Sequence, residues 1–267
     1  MNRTVSAQLE LTVLQPARMA IHIGIADPQN YSAQQTTTIE LNGRSVAWRE
    51  LIAPTGGRLW FLACEPGQLS IRYWAALNGQ ADPAEPDIAS ELLYLRPSRY
   101  CESDRMIGFA SQLFRDLTAP SEILAAVSSW VGTQLEYVTG SSGPTDGAVD
   151  TLLAGRGVCR DYAHLAVALL RAMQVPARSV AVYAPGLQPM DFHAVAEAFI
   201  NGAWYVVDAT LLAPRESLVR IATGRDAADT SFLSTYDGTV NLDFIEVTAT
   251  IEGDLPVDDV AQLCQLR

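Results

Sequence analysis

The chain has 267 residues, 49% of them hydrophobic, enough for one large domain or two ordinary ones and too apolar for a disordered chain. Its formal net charge is −12 and its basic residues are spread singly, a balance that repels nucleic acid and anionic membrane. All 18 basic residues are arginine, so the protein offers no lysine amine to any cross-linking chemistry.

The first residues, Met1 to Leu11, alternate as a strand and lack the apolar core of a signal peptide. No segment reaches the roughly 18 uninterrupted apolar residues of a membrane span, so a cytoplasmic protein is expected. Val5, Ala7, Leu9, Leu11 and Val13 alternate with polar residues, and Ile21, Ile23 and Ile25 do the same. Ile39 and Leu41 lead through Asn42-Gly43 to Val46 and Trp48, the pattern of a tight hairpin, and Leu69, Ile71 and Tyr73 extend the series. Turn signals at Asp27-Pro28, Pro54 to Gly57 and Pro66-Gly67 divide these runs and predict an antiparallel β-sandwich. Residues 78–87, rich in Pro, Ala and acidic side chains, read as a solvated loop, and Arg96-Pro97-Ser98-Arg99 as a linker. The period then changes from two to about 3.6, which separates an N-terminal β-domain (1–98) from a second domain (99–267).

In the second domain Ser103 or Asp104 is expected to cap a helix carrying Ile107, Ala110, Phe114 and Leu117. Pro120-Ser121-Glu122 opens another with Ile123, Val127, Trp130 and Val131 buried, and Thr145 caps a short one ending near Leu153. Gly155-Arg-Gly-Val then precedes Cys159, which opens the apolar helical run through Met173. At that helix start the unpaired N–H groups and the dipole favour a thiolate over a thiol. Arg178 to Tyr183 reads as a strand, residues 223–230 as a polar loop, and Phe244 to Ile251 as a last strand of the same sheet. The layout is α+β, helices first and then a mainly antiparallel sheet.

Asp191-Phe-His193 to Ile200, Asn201-Gly202 and Ala203 to Thr210 form a hairpin with a two-residue turn. With no bulge, Ile200 pairs with Ala203 and Val195 falls opposite Asp208. His193 shares the face of Val195 and so becomes a diagonal neighbour of Asp208. The hairpin thus supplies a base and the carboxylate that orients it. Cys64, Cys101 and Cys264 read as small core hydrophobes, and the four cysteines lack the spacing of a zinc or redox motif. His164 lies about 140° round the helix from Cys159 and faces elsewhere. His22 sits in the strand domain without catalytic company.

Four stretches carry a resemblance to a known family: Gly155-Arg-Gly-Val-Cys-Arg-Asp-Tyr-Ala-His164, Val175-Pro-Ala-Arg178, Asp191-Phe-His-Ala194 with Glu197, and Trp204-Tyr-Val-Val-Asp-Ala-Thr210. The chain resembles the transglutaminase-like superfamily, in particular its bacterial cysteine-protease branch with an added N-terminal β-domain. The resemblance implies a papain-like α+β core in which Cys159 is the nucleophile, His193 the general base and acid, and Asp208 the orienting carboxylate. Val195 stands where many relatives have Trp and Ala209 where many have Pro, departures that touch the lining of the site. The expected chemistry is acyl transfer through a thioester on Cys159, with the Cys159 backbone N–H as one oxyanion donor and Trp130 or Tyr137 as candidates for the second. Glu197 shares the face of His193 and stays outside the catalytic set, either as an acid supporting the site from behind or as the partner of an arginine such as Arg160 or Arg178.

The leading expectation is therefore a cysteine hydrolase acting on peptide or isopeptide bonds. A glutamine transamidase and a catalytically idle binding scaffold are the alternatives. No cofactor or metal is expected: neither a calcium loop nor a nucleotide fingerprint is present. The expected partner is a peptide or protein substrate, not nucleic acid or membrane, and a homodimer is compatible with the chain.

Overall fold

A computed structural model describes residues 1–26, 31–83 and 85–267, so the expected Asp27-Pro28 turn lies outside the described residues. The chain opens with β1 (Asn2–Val13), β2 (Ala17–Ile21), β3 (Ser32–Leu41), β4 (Arg44–Ser45), β5 (Trp48–Ile52), β6 (Arg58–Cys64) and β7 (Gly67–Asn78). Then come α1 (Ile88–Leu93), α2 (Ser103–Leu113), α3 (Pro120–Gln134), β8 (Glu136–Tyr137), α4 (Ala148–Ala154), β9 (Arg156–Gly157) and α5 (Cys159–Ala172). The last part contains β10 (Ala177–Tyr183), β11 (Phe192–Ile200), β12 (Ala203–Val207), β13 (Val219–Gly224), α6 (Ala227–Thr230), β14 (Leu233–Thr235) and β15 (Val240–Ile251).

The N-terminal strands form two sheets, ordered β15-β1-β7-β3-β4 and β14-β2-β6-β5, with antiparallel pairing throughout. In β1 and β7 every second residue is buried, so Leu9, Leu11, Leu69 and Ile71 meet Met19 and Trp60 in one core. This is the period-two pattern of a sheet packed on one face. The second half holds a sheet ordered β12-β11-β10-β13, also antiparallel, with α5 packed on β10 and β11. Helix α5 is buried from Asp161 to Ala172, in keeping with its apolar residues on nearly every face. An α+β architecture with a β-sandwich followed by helices on an antiparallel sheet is the observed fold.

Two segments of the C-terminal half return to the sandwich. Residues 244–251, expected in the His193 sheet, lie instead in β15, paired with β1 so that Val247 opposes Ala7 and Ala249 opposes Val5. Alternation identified the strand, but it carries no information about a partner more than 200 residues away. Strand β14 likewise pairs with β2. The two halves are fastened by buried polar contacts: the Tyr183 hydroxyl donates to the Ile23 carbonyl at 2.7 Å, and Arg3 donates to the Leu218 carbonyl at 2.9 Å. Buried Arg171 donates to the carbonyls of Arg96, Ala177 and Arg225 and to the Ser98 hydroxyl, which ties the expected linker down.

The helix starts differ in detail from expectation. The residue before α2 is Glu102, and neither Ser103 nor Asp104 caps that helix. The Glu102 carboxylate instead accepts the Ala148 N–H at 3.0 Å, at the start of α4. That helix begins after Gly147 rather than at Thr145, and Asp150 reaches back to the Gly147 N–H at 3.0 Å. The polar 223–230 stretch is the end of β13 followed by the single turn α6, capped by Asp226 through the Ala228 N–H.

Candidate active site

Cys159 is the first residue of α5, and the local sequence holds it there. The Asp161 carboxylate accepts the Val158 N–H at 2.8 Å and so satisfies one of the orphan donors at the helix start. A Cβ on Gly157 would stand 2.6 Å from the Asp161 Cβ, so only glycine admits this fold-back. Asp161 is also paired with Arg160 at 2.9 Å. Cys159 is partly exposed, whereas Cys64 and Cys101 are buried.

The hairpin has the expected register: Ile200 pairs with Ala203 and Ala196 with Val207. Asn201 and Gly202 both have positive φ, 51° and 87°, as a tight turn of this hand requires. The same count places Asp208 one residue past β12, within reach of His193. His193 Nε2 and Asp208 Oδ2 are 2.8 Å apart, and the two side chains are 0% and 1% exposed. The second carboxylate oxygen accepts the Thr210 N–H at 3.0 Å and the Thr210 hydroxyl at 2.7 Å. Burial would raise the Asp208 pKa, but His193 and Thr210 outweigh it and hold the group below the usual carboxylate range.

The other ring nitrogen, His193 Nδ1, is buried with no hydrogen-bond partner of its own. Burial alone would disfavour a charged ring. Asp208 and the Cys159 thiol favour it more strongly, and the His193 pKa is pushed up to about 10. The ring is thus built to carry a proton beside the sulfur. Cys159 and His193 line one cleft, with a volume of about 470 Å³.

Of the two aromatics considered for oxyanion binding, the structure brings Tyr137 to the site. Its strand β8 runs parallel to β9, pairing Tyr137 with Gly157 just before the cysteine. The Tyr137 hydroxyl contacts both the backbone N–H and the side chain of Cys159, and burial together with the sulfur pushes its pKa up to about 12. It therefore remains a hydrogen-bond donor at neutral pH. Trp130 packs edge-on against Phe109 at 5.6 Å, and since neither aromatic lines the cleft, it is the contact with Cys159 that distinguishes Tyr137.

The remaining candidates separate cleanly. His164 Nε2 accepts the Ala227 N–H at 3.0 Å while its ring stacks on Tyr100, and burial pulls its pKa down to about 4. It is a neutral packing residue, as its helical angle predicts. Glu197 binds Arg178 and Arg220, each at 2.7 Å, rather than Arg160. His22 departs from expectation, because the sandwich places it on the wall of the cleft that holds Cys159 and His193. Among the described residues no group of three or more His, Cys, Asp or Glu side chains is placed to hold a metal ion. None of their helices is long and apolar enough to cross a membrane.

Residues 107–209 match the profile of the Transglutaminase-like superfamily. A solved structure from Cytophaga hutchinsonii, provisionally designated a cysteine protease, is 30% identical, with a TM-score of 0.87 over 97% of this chain and 93% of that one. The chain belongs to the transglutaminase-like superfamily. Curated relatives within reach of its sequence include an uncharacterized protein of Mycobacterium leprae, 27% identical over 146 residues, which are 51% of this chain and 51% of that protein. Another, from Mycobacterium bovis, is 38% identical over 77 residues, 26% of this chain and 24% of that one. The chain thus spans about half or less of the length of the curated relatives it matches. The likeness to the Cytophaga protein runs through both the sandwich and the superfamily core.

Proposed function

We propose that this superfamily member is a cysteine acyl-transfer enzyme that hydrolyses peptide or isopeptide amide bonds, with Cys159 as nucleophile, His193 as general base and acid, and Asp208 as orienting carboxylate. The observation that carries the reading is the polarity of His193: Nε2 is locked to a buried carboxylate at 2.8 Å, while Nδ1 has no partner of its own and the Cys159 thiol acts on the ring. His164 also has a buried Nδ1 without a partner, but burial leaves its ring neutral, so what marks His193 is the buried carboxylate and the thiol that together favour a charged ring.

In this mechanism the thiolate attacks the amide carbon, a C–S bond forms, and the carbonyl electron pair moves to oxygen. The Cys159 N–H and the Tyr137 hydroxyl bind that oxyanion. Collapse breaks the C–N bond, and the His193 imidazolium delivers its proton to the leaving amine. His193 then takes a proton from water as it attacks the thioester, and the thiolate is released with the acid product. Asp208 stays ionised throughout and keeps the ring in one tautomer and orientation.

Mixing the protein with p-nitrophenyl acetate tests this reading directly. A fast release of about one equivalent of p-nitrophenol, with an acetyl group found on the Cys159 peptide by mass spectrometry, is the signature expected of a thioester intermediate. Cys159→Ser should lose both signals. Acetylation distributed over the other cysteines, with none at Cys159, would contradict the assignment.

A further inference from the structure

The cleft has more wall than a triad needs. One side is formed by Asp191, Phe192, His193 and Ala194, and the other by α6, the segment leading into β14, and His22 from beyond β2. Phe192 and Phe232 stack across it at 5.2 Å. Most of its polar groups are already spent. Arg160 donates to Asp161, Ser142 and the Gly143 carbonyl, so its charge is matched within the protein. The Thr230 and Ser231 hydroxyls donate to the carbonyls of Asp226 and Leu233. The Ser234 and Tyr100 hydroxyls can turn either way.

Apart from His193 Nδ1, two groups of the cleft lining remain unmatched, and both are acceptors. The Asp191 carboxylate reaches the cleft, accepts the adjacent Phe192 N–H at 2.7 Å, and pairs with no arginine among the described residues. It lies close enough to Tyr137 and His193 to act on both electrostatically. Asp191 is solvent-exposed while lining the cleft, and partial burial raises its pKa against the Phe192 N–H and His193, which both lower it. His22 is 8% exposed, its ring is bonded to the Ser231 carbonyl, and its Nε2 has no partner. With the ring proton committed to that carbonyl, Nε2 presents a lone pair.

We propose that the cleft takes its substrate through a cationic, N–H-bearing group, the side chain of a lysine or arginine next to the scissile amide, with Asp191 as counter-charge and His22 Nε2 as a second acceptor. The inference rests on the acyl-transfer reading for the position of the scissile bond, while the preference for a cation is a property of the cleft and can be measured without turnover. It also gives the N-terminal sandwich a part in recognition, through His22.

The test compares two thiol reagents of equal reach and opposite charge, 2-aminoethyl and 2-sulfonatoethyl methanethiosulfonate, with modification of Cys159 resolved from the other cysteines by peptide mass spectrometry. Each transfers its thioalkyl group to the thiolate and releases methanesulfinate, so any general change in thiolate reactivity cancels in the ratio of rates. The cationic reagent should react faster in the wild type, and Asp191→Asn should lower the ratio by about tenfold, a size set by one charge near the sulfur at moderate effective dielectric. Asp116→Asn, at an exposed position outside the cleft lining, should leave the ratio as it is. His22→Phe, which keeps the ring and removes the acceptor, should lower the rate of the aminoethyl reagent by about two- to threefold relative to the sulfonate. An Asp191→Asn ratio equal to that of the wild type would overturn the proposal. If Cys159 reacted with both reagents at the rate of an ordinary thiol, the acyl-transfer reading would fail, and the ratio would still decide the cation preference.

Discussion

Strand β11 carries two buried ionic clusters four residues apart on the same face, and they differ in one respect that separates architecture from chemistry. Glu197 is closed: Arg178 and Arg220 both reach it at 2.7 Å, and Arg178 is itself spread over the Trp204 ring at 3.9 Å. Burial would raise the Glu197 pKa, but the two guanidinium groups overcome it and hold the group at about 2. The His193–Asp208 pair is equally buried, yet it ends on a ring nitrogen without a partner of its own, with the thiol beside the ring. A matched buried charge stabilises one conformation. A buried charge with one valence left over can pass a proton.

The comparison can be broken first at Asp208. Asp208→Asn should lower kcat for a Cys159-dependent substrate by about 10³ to 10⁴-fold, because the amide neither stabilises the imidazolium nor keeps its tautomer. It should cost only about 1–2 kcal/mol of stability, since the replacement is isosteric. Glu197→Ala should do the reverse in urea unfolding, with a loss of about 3–5 kcal/mol from leaving buried Arg178 and partly buried Arg220 without their carboxylate. Activity per folded molecule should be retained. Tyr137→Phe should reduce kcat by about 10²-fold with little change in KM, the pattern of a group that acts on the oxyanion.

The two clusters should also appear at opposite ends of a stability–pH profile. The Glu197 carboxyl falls from an ordinary 4.5 to about 2, so its contribution is present above pH 4.5 and is lost as pH falls towards 2. Asp208, also depressed, adds to that acid limb. His193 rises from 6.5 to about 10, so its contribution is full below pH 6.5 and is lost as pH rises through 10. Glu197→Ala should flatten the acid limb of the midpoint denaturant concentration, and His193→Ala the alkaline one. Equal effects of both variants on both limbs would mean that the two clusters are not independent.

The hairpin that joins His193 to Asp208 was legible in the sequence because a two-residue Asn-Gly turn sets register, and register sets which side chains meet. The cysteine's place at a helix start was legible for a similar reason, since Gly157 and Asp161 are local neighbours. What could not be read depends on contacts between distant segments. Nothing in residues 240–251 points to β1, and nothing around His22 points to a cleft formed some 80 to 210 positions later in the chain. Tyr137 and Trp130 were equivalent aromatics until the β8–β9 pairing placed one beside Cys159. Arg220 as the second partner of Glu197 was hidden for the same reason. Asp191 did stand within a quoted motif, and its position two residues before His193 was the available signal that it belongs to the cleft.

The central claim is that sulfur and imidazole act as a pair, and the rate of iodoacetamide alkylation at each cysteine, followed against pH in the wild type and in His193→Ala, tests it most directly. At about pH 6, where an ordinary thiol is almost wholly protonated, Cys159 should react far faster than Cys64, Cys101 and Cys264 and should lose that advantage when His193 is removed. A Cys159 that is reached by the reagent, yet follows the ordinary thiol profile in both proteins, would contradict the pairing and leave the fold as a binding scaffold.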